Sequence, residues 1–357
     1  LAEMMNYPGV IGADPQVIEK IVAAQAHHKK IDGHAPDLLG NDLNAYIAAG
    51  VYSDHECHDA ADAVAKLERG QFIMIREGTA ARNLEALMPL MTPQYAERCM
   101  FCCDDKHPND LLEKGHIDYN IREAIRLGAD PILTIRVACH HAARYYLLNN
   151  RGAIAPGYLA DFVVIDNFQD FNIQQVFKKG VEMYDGTSVR DFPAPVIDPY
   201  LVRRAHDTFH LAHLTAEDFA ERRPRGIIGM VPGEIVTTDQ GYSDHIDPEW
   251  DILKIAVVER HKNTRHIGIG YLQGYGLKRG AVATSVSHDS HNIIVVGANE
   301  GDMAAAANRV AENRGGIAVV EDGAVLGEVV LAIAGLMSDD TLENVNRDLE
   351  SAKAAAF

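Results

Sequence analysis

The sequence is poor in the features that mark a secreted, membrane-spanning or polymer-binding protein. Five cysteines in 357 residues, at 57, 99, 102, 103 and 139, are an odd and badly spaced set for a disulfide framework, so a reducing compartment is expected. No run of 18 apolar residues occurs, so the pattern predicts no membrane-spanning helix. The opening residues LAEMMNYPGV carry no basic segment and no cleavage site. They do not read as a signal peptide, and a cytoplasmic setting is expected. Basic residues are also short: 33 Lys and Arg stand against 51 Asp and Glu, a formal net charge of -18. Such a surface repels phosphate backbones and predicts no nucleic-acid polymer as partner, but it leaves an uncharged small molecule open. Gly268, Gly270, Gly274 and Gly276 lack a following Lys-Ser/Thr, which argues against a nucleotide-phosphate loop.

What is present is an ordinary soluble composition, 47% hydrophobic and 24% charged, in a chain too long for one ordinary core. The first 150 residues alternate strand and helix signals. Asp14-Pro15 reads as an N-cap and first helical residue, opening a helix through VIEKIVAAQA. A short strand ends at IDGHAP. Asn41 is expected to cap LNAYIAA, with Gly50 closing it. Strand VYSDHEC, helix ADAVAKLERG, strand QFIMIREG, helix RNLEALMPLM and strand CMFCCDD follow. This is the pattern of βα units with parallel strands. Residues 1–148 are therefore expected to form the C-terminal part of a (β/α) barrel.

The texture changes near residue 150. RGAIAPGYLADFVVID reads as two short strands about a Pro-Gly turn, so 149–196 is expected to be a small β-sandwich-type segment. Residues 197–225, with the ERRPR cluster, read as a helical, solvated linker. From 226 to 357 a mixed α+β domain is expected. Its strands are GIIGMVPGEIVTT, ILKIAVVERH, IGIGYLQGYG, GAVATSVS, NIIVVGA and GIAVVEDG, and its helix is DMAAAANRVAENRGG.

The chemistry gathers at the strand ends. Glu3, His34, His55, Glu77 and Asp104 each fall at or just past a predicted strand end, the address at which barrels with parallel strands build active sites. Imidazoles with carboxylates suit Zn, Mn, Fe or Co. A carboxylate can bridge two such ions, and a further carboxylate can carry a proton from the attacking water to a leaving amine. Glu3 is the candidate bridge, His34 and His55 are candidate ligands, and Asp104 is the candidate ligand and proton carrier, with Asp105 competing. Glu56 and Glu77 are either catalytic or orient a ligand, and Asp54 reads as a positioning or capping residue. Cys99, Cys102 and Cys103 read as small core residues, and His27-His28 and His140-His141 as ordinary helix histidines. The cluster His288, Asp289, His291 and Asn292 is either an active-site loop touching metal or substrate, or a polar turn.

The phrases LAEMMNYPGV, DGHAP, AYIAAGVYSDHEC, MIREGTAARNL, FCCDDKHP, RGAIAPGYLADFVVID, LKIAVVERH, GYGLKRGAVATSVSHDSHN and AGLMSD resemble the adenine deaminase branch of the amidohydrolase superfamily over nearly the whole chain. The resemblance implies strands four to eight of a TIM-like barrel, with Glu3, His34, His55 and Asp104 in the family order. It implies a divalent cation centre, binuclear, with Mn or Fe expected and Zn also suited. The implied reaction is hydrolysis of free adenine to hypoxanthine and ammonia by attack of a metal-bound hydroxide on C6, in a homo-oligomer, with a dimer expected. One departure stands out: the family's His-x-His pair occurs nowhere in these 357 residues. The chain is therefore expected to lack an upstream portion with strands one to three. The alternatives are a cyclic amidohydrolase of dihydroorotase or hydantoinase kind, against which Glu3 in the bridging place argues, and a catalytically incomplete module. A cytidine-deaminase-type zinc site is disfavoured, because Arg98 precedes Cys99-x-x-Cys102 and no H-x-E accompanies it.

Overall fold

The computed structural model describes residues 1–221, 223–232, 237–288 and 290–356. It divides the chain into two compact units, Leu1–Pro193 and Ala194–Phe357. Among the described residues, no helix is long and apolar enough to cross a membrane.

The first unit is built on four strands, β1 (Asp32–Gly33), β2 (Ser53–Asp54), β3 (Phe72–Arg76) and β4 (Cys99–Cys102), paired in chain order. Every pairing is parallel, and Met4 adds a parallel bridge to Gly33. Helices cover one face. Ile73, Ile75, Cys99 and Phe101 point into a core shared with Leu84, Leu87 and Ile121. Met74 and Met100 point to the other face, where they meet Tyr145. The alternation is the strand's own period of two. The helix Pro15–Ala26 starts as its sequence requires, the Asp14 carboxylate accepting from the backbone N–H groups of Gln16 and Val17. Asn41 is not a cap: the next helix is Gly40–Ala48, its N-cap position is Leu39, and no side chain caps it. Gly50 does close that helix, at φ +101°, where a side chain would be strained.

The expected sandwich segment is instead one three-stranded antiparallel sheet, β5 (Phe162–Ile165), β6 (Ile173–Lys178) and β7 (Val181–Tyr184). RGAIAPGY forms turns and no strand, because Pro156-Gly157 breaks the run before a second strand can extend. Phe171, on the connection between β5 and β6, buries itself in the core of the first unit, so this sheet is part of that unit.

Among the described residues, the second unit holds eight strands: β8 (Arg225–Met230), β9 (Thr237–Ser243), β10 (Ile252–Val258), β11 (Ile267–Gln273), β12 (Ala281–Thr284), β13 (Ile293–Gly297), β14 (Gly316–Glu321) and β15 (Ala324–Val330). They form one sheet in the order β15-β14-β12-β13-β10-β11-β8-β9, antiparallel except for the β11–β8 pair. The predicted strand GIIGMVPGEIVTT is thus two strands, and residues 233–236 lie outside the described residues. The helix Glu300–Glu312, capped by Asn299, lays Met303, Ala306, Ala307 and Val310 on one face of the sheet. Residues 197–225 are more than a linker. Pro199–His206 is helical and exposed, but Leu214 and Phe219 join the sheet core, and Asn308 clasps the backbone of Leu214. The helix Leu342–Ala356 has no counterpart in the sequence reading. It packs on β14 and β15 through Ala352. Only a glycine fits at Gly327, where an added Cβ would lie 2.8 Å from the Ala352 Cα.

Candidate metal centre

His34, His55, Glu77 and Asp104 stand at the C-terminal ends of adjacent parallel strands: His34 follows β1, His55 follows β2, Glu77 follows β3 and Asp104 lies just past β4. Glu3 is not at such an end, but lies one residue before Met4, which bridges Gly33 of β1. The loops that carry them are tied down from within. The Tyr46 hydroxyl donates to the Met4 carbonyl at 2.5 Å and accepts the His34 backbone N–H at 3.1 Å. The buried Asp54 carboxylate accepts the Ala35 N–H at 2.9 Å and the Glu56 N–H at 2.8 Å. Both bonds fix backbone beside His34 and His55. Behind it the Lys66 ammonium, fully buried, donates to the Ala35 carbonyl at 2.8 Å and to Asp62 at 2.9 Å, and sits 3.6 Å from Asp54.

Glu3, His34 and His55 converge. The Glu3 Oε2 lies 2.6 Å from His55 Nε2 and 3.3 Å from His34 Nδ1. Donor atoms of the three residues all lie within 4.8 Å of one another, as do those of His55, Glu56 and Asp104. Asp32 accepts from His55 Nδ1 at 3.0 Å, so the opposite nitrogen faces Glu3. One carboxylate and two imidazoles, with one imidazole oriented by a second carboxylate, is a donor set that fits a divalent cation of the Zn, Mn or Fe kind.

The electrostatics follow from this packing. Burial alone would raise the Glu3 carboxyl, but hydrogen bonds and charge from His34 and His55 hold it far below the usual range. Burial alone would lower the His55 imidazole, but its bonds to Asp32 and Glu3 carry it up to about 10. A raised imidazole contributes stability below its ordinary value of 6.5 and loses that contribution as pH rises through about 10. The depressed Glu3 contributes above its ordinary 4.5 and loses its contribution on acidification. Chelator-treated protein is therefore expected to show a urea midpoint that declines from pH 7 to pH 10. The decline should be shallower in His55→Gln, and an equal decline in both would exclude this pair as its source.

Arg76, which sequence reasoning missed, lies between two of the candidates. Its guanidinium donates to both oxygens of Glu56 and, at 2.9 Å, to Asp104 Oδ2. Strand alternation puts Arg76 there: Met74 and Arg76 share the face opposite Ile73 and Ile75. The same alternation carries Glu77 away. Its carboxylate accepts the Leu84 N–H at 3.3 Å, at the start of the helix Leu84–Leu87, and burial raises its pKa. The structure groups Glu77 with that helix and not with the cluster. Along β4, Met100, Cys102 and Asp104 alternate onto the cluster side. Asp105 instead holds the Thr79 and Ala80 N–H groups at 3.1 and 2.8 Å, and Asp104 is the aspartate grouped with His55 and Glu56. Cys99 and Cys103 are buried core residues, as read from the sequence.

The His288–Asn292 turn follows β12 in the second unit. The His288 and His291 rings meet edge-on with centroids 5.2 Å apart. Asn292 accepts the Arg260 backbone N–H, and the His291 carbonyl accepts Arg260 Nε at 2.5 Å. Asp289 lies outside the described residues.

Residues 2–183 match the amidohydrolase family, and residues 233–357 match the adenine deaminase C-terminal domain. The chain is 47% identical to an adenine deaminase of Desulfatibacillum aliphaticivorans, covering 98% of this chain and 62% of that protein. It is 44% identical to adenine deaminase 1 of Rhizobium johnstonii, covering 100% of this chain and 63% of that protein. Among solved structures, a β-aspartyl dipeptidase of Fervidobacterium islandicum aligns at 17% identity with a TM-score of 0.39, covering 51% of this chain and 55% of that one. The chain spans less than two thirds of the length of the curated relatives it matches.

Proposed function

The chain belongs to the amidohydrolase family, and on that premise we propose that the protein containing it hydrolyses adenine to hypoxanthine and ammonia with a divalent cation. The observation that carries this reading is the convergence of Glu3 on His34 and His55, which follow neighbouring strands, in a chain 47% identical to an adenine deaminase. The parallel strands are read as part of a (β/α) barrel, with the Met4 segment as a fifth strand beside the other four. We further read the His288–Asn292 turn as a substrate loop, the cation centre as binuclear with Mn or Fe, and the protein as a cytoplasmic dimer, as the sequence resemblance implies.

Glu3, His34 and His55 would hold the cation, and Asp104 would complete the set. When bound, the cation supplies Lewis acidity to water and offsets charge at the reacting carbon. The rest falls to this chain's own groups. Asp104, the most exposed of the site carboxylates, takes a proton from the attacking water and passes it to the departing amine, so that water and adenine leave as hypoxanthine and ammonia. Arg76 fixes Asp104 beside Glu56. Glu56, whose Oε1 lies 3.5 Å from His34 Nδ1, presents a carboxylate that can accept a ring N–H of the purine.

The test is to assay ammonia release from adenine and metal content on the same preparation of the complete protein. Stoichiometric metal without ammonia from adenine would sink the substrate assignment, and no metal at all would sink the site. A second expectation concerns Asp32. Asp32→Asn should weaken cation binding about 10–100-fold, the usual cost of removing the partner that orients a ligand histidine. Chelator competition reads this directly, and unchanged affinity would show that the His55–Asp32 bond does not serve the cation.

A further inference from the structure

Beneath the cluster, on the face of the sheet that Ser53, Met74 and Met100 share with it, lies a buried tyrosine that the reaction scheme does not use. Tyr145 is 2% exposed. Its hydroxyl lies 2.7 Å from Ser53 Oγ, and Ser53 Oγ lies 2.6 Å from Asp32 Oδ1. We propose that Tyr145 is a positioning residue of the cation centre: through Ser53 and Asp32 it sets the orientation and the donor atom of His55. This rests on reading Glu3, His34 and His55 as cation ligands.

The direction of the chain of bonds follows from counting hydrogens. Ser53 has one hydroxyl hydrogen, and its bond to the Asp32 carboxylate uses it, because a carboxylate only accepts. Ser53 Oγ must then accept from Tyr145, so the phenol donates. Asp32 Oδ1 also takes the Gly33 N–H at 3.0 Å, while Oδ2 is left for His55 Nδ1. Both carboxylate oxygens are thus committed, and the carboxylate plane cannot turn without breaking a bond. His55 Nδ1 is held as a donor, and Nε2 becomes the atom that points at Glu3 and at the cation. Burial pushes the Tyr145 phenol upward, which keeps it a donor across the working range.

The local fold is arranged to deliver this side chain. Residues Pro131–Ile135 are α-helical, Arg136–His141 form a π-helical turn, and Ala142–Tyr145 return to α. A π turn takes in one residue more than an α turn and resets which residues face inward, and such turns recur at functional sites. Here Val137, His141 and Tyr145, four apart, are all buried. The Tyr145 ring packs on Phe72 with centroids 5.0 Å apart and contacts Met74 and Met100. The ring therefore has packing that a phenylalanine would keep, and the hydroxyl has one partner.

The experiment titrates the complete protein with Mn²⁺ alone, by calorimetry, in wild type, Tyr145→Phe, Ser53→Ala and the double variant, with urea unfolding of each. Tyr145→Phe is expected to weaken Mn²⁺ binding about tenfold, the lower end of the cost of losing an outer partner of a ligand histidine. Ser53→Ala should do the same, and the double variant should lose no more than the larger single loss, because both break one chain. Mn²⁺ affinity within twofold of wild type in both singles, whatever their urea midpoints, would overturn the inference and leave the cation reading standing. So would fully additive losses. Wild type that takes up no Mn²⁺, Fe²⁺ or Zn²⁺ would overturn both together.

Discussion

Asp104→Asn in the complete protein is expected to leave cation binding largely intact and to lower the rate of ammonia release from adenine by about 10²–10⁴-fold, the usual worth of a general acid–base group. Asn preserves the shape and one coordinating oxygen, and it still accepts the Arg76 N–H that holds Asp104 at 2.9 Å. What it loses is the ability to take a proton from water and give it to the amine. His34→Ala is the informative contrast, because its loss should come from released metal. Measuring metal content and turnover on the same samples separates the two. Full metal loading with activity within a few-fold of wild type would remove Asp104 from the proton path and leave Glu56 as the cluster carboxylate not assigned to the cation. Glu77 would be a poor replacement, since its carboxylate is spent on the Leu84 N–H.

The largest stability effect is expected at Lys66→Met. The ammonium is fully buried between Asp54 and Asp62 and the Ala35 carbonyl. Burial opposes its charge, but those carboxylates overcome that and raise its pKa. Removing it leaves buried carboxylates without a cation, a change that typically costs about 3–5 kcal/mol. Asp54 also holds the Ala35 and Glu56 N–H groups, so the loops that carry His34 and His55 should loosen with it. Urea unfolding of the variant would show the loss as a lower midpoint. A midpoint equal to that of wild type would mean that Asp54 and Asp62 are satisfied without the lysine.

Much of the site was legible because the chemistry sits at one address. Parallel strands put their carboxyl ends on one side, so His34, His55 and Asp104 could be read as a set from their positions past successive strands, and Glu3 joined them through the resemblance. Capping chemistry was legible where it is strictly local, as at Asp14-Pro15. Arg76 was overlooked because it lies inside an apolar strand, FIMIR, where a charge looks like an exception. Carrying the alternation of Met74 and Ile75 one residue further would have put Arg76 on the cluster side and Glu77 on the helix side. Asp32 and Tyr145 were illegible for a different reason. Their roles depend on contacts 23 and 92 residues away along the chain, and no local pattern encodes these. The burial of Leu214 and Phe219 inside a stretch expected to be solvated has the same cause. Two apolar residues among charges carry too little period to reveal a core position, and the helix Glu300–Glu312 and the sheet supply the surface they need.

The order of the eight-stranded sheet has a kinetic meaning. Its strands come as four chain-adjacent pairs, β8–β9, β10–β11, β12–β13 and β14–β15, each a hairpin. The seams between the hairpins, including the parallel β11–β8 seam, join residues much further apart. Closing a short loop costs less entropy than closing a long one, and hairpins close on the microsecond scale. The second unit should therefore assemble as preformed hairpins that dock side by side, with seam formation as the slow event. The loops of the second and third hairpins meet at Arg260, whose guanidinium grips the His291 carbonyl as well as those of Thr208 and Ala334. The His288–Asn292 turn would thus take its final form only when that docking is done, late in folding.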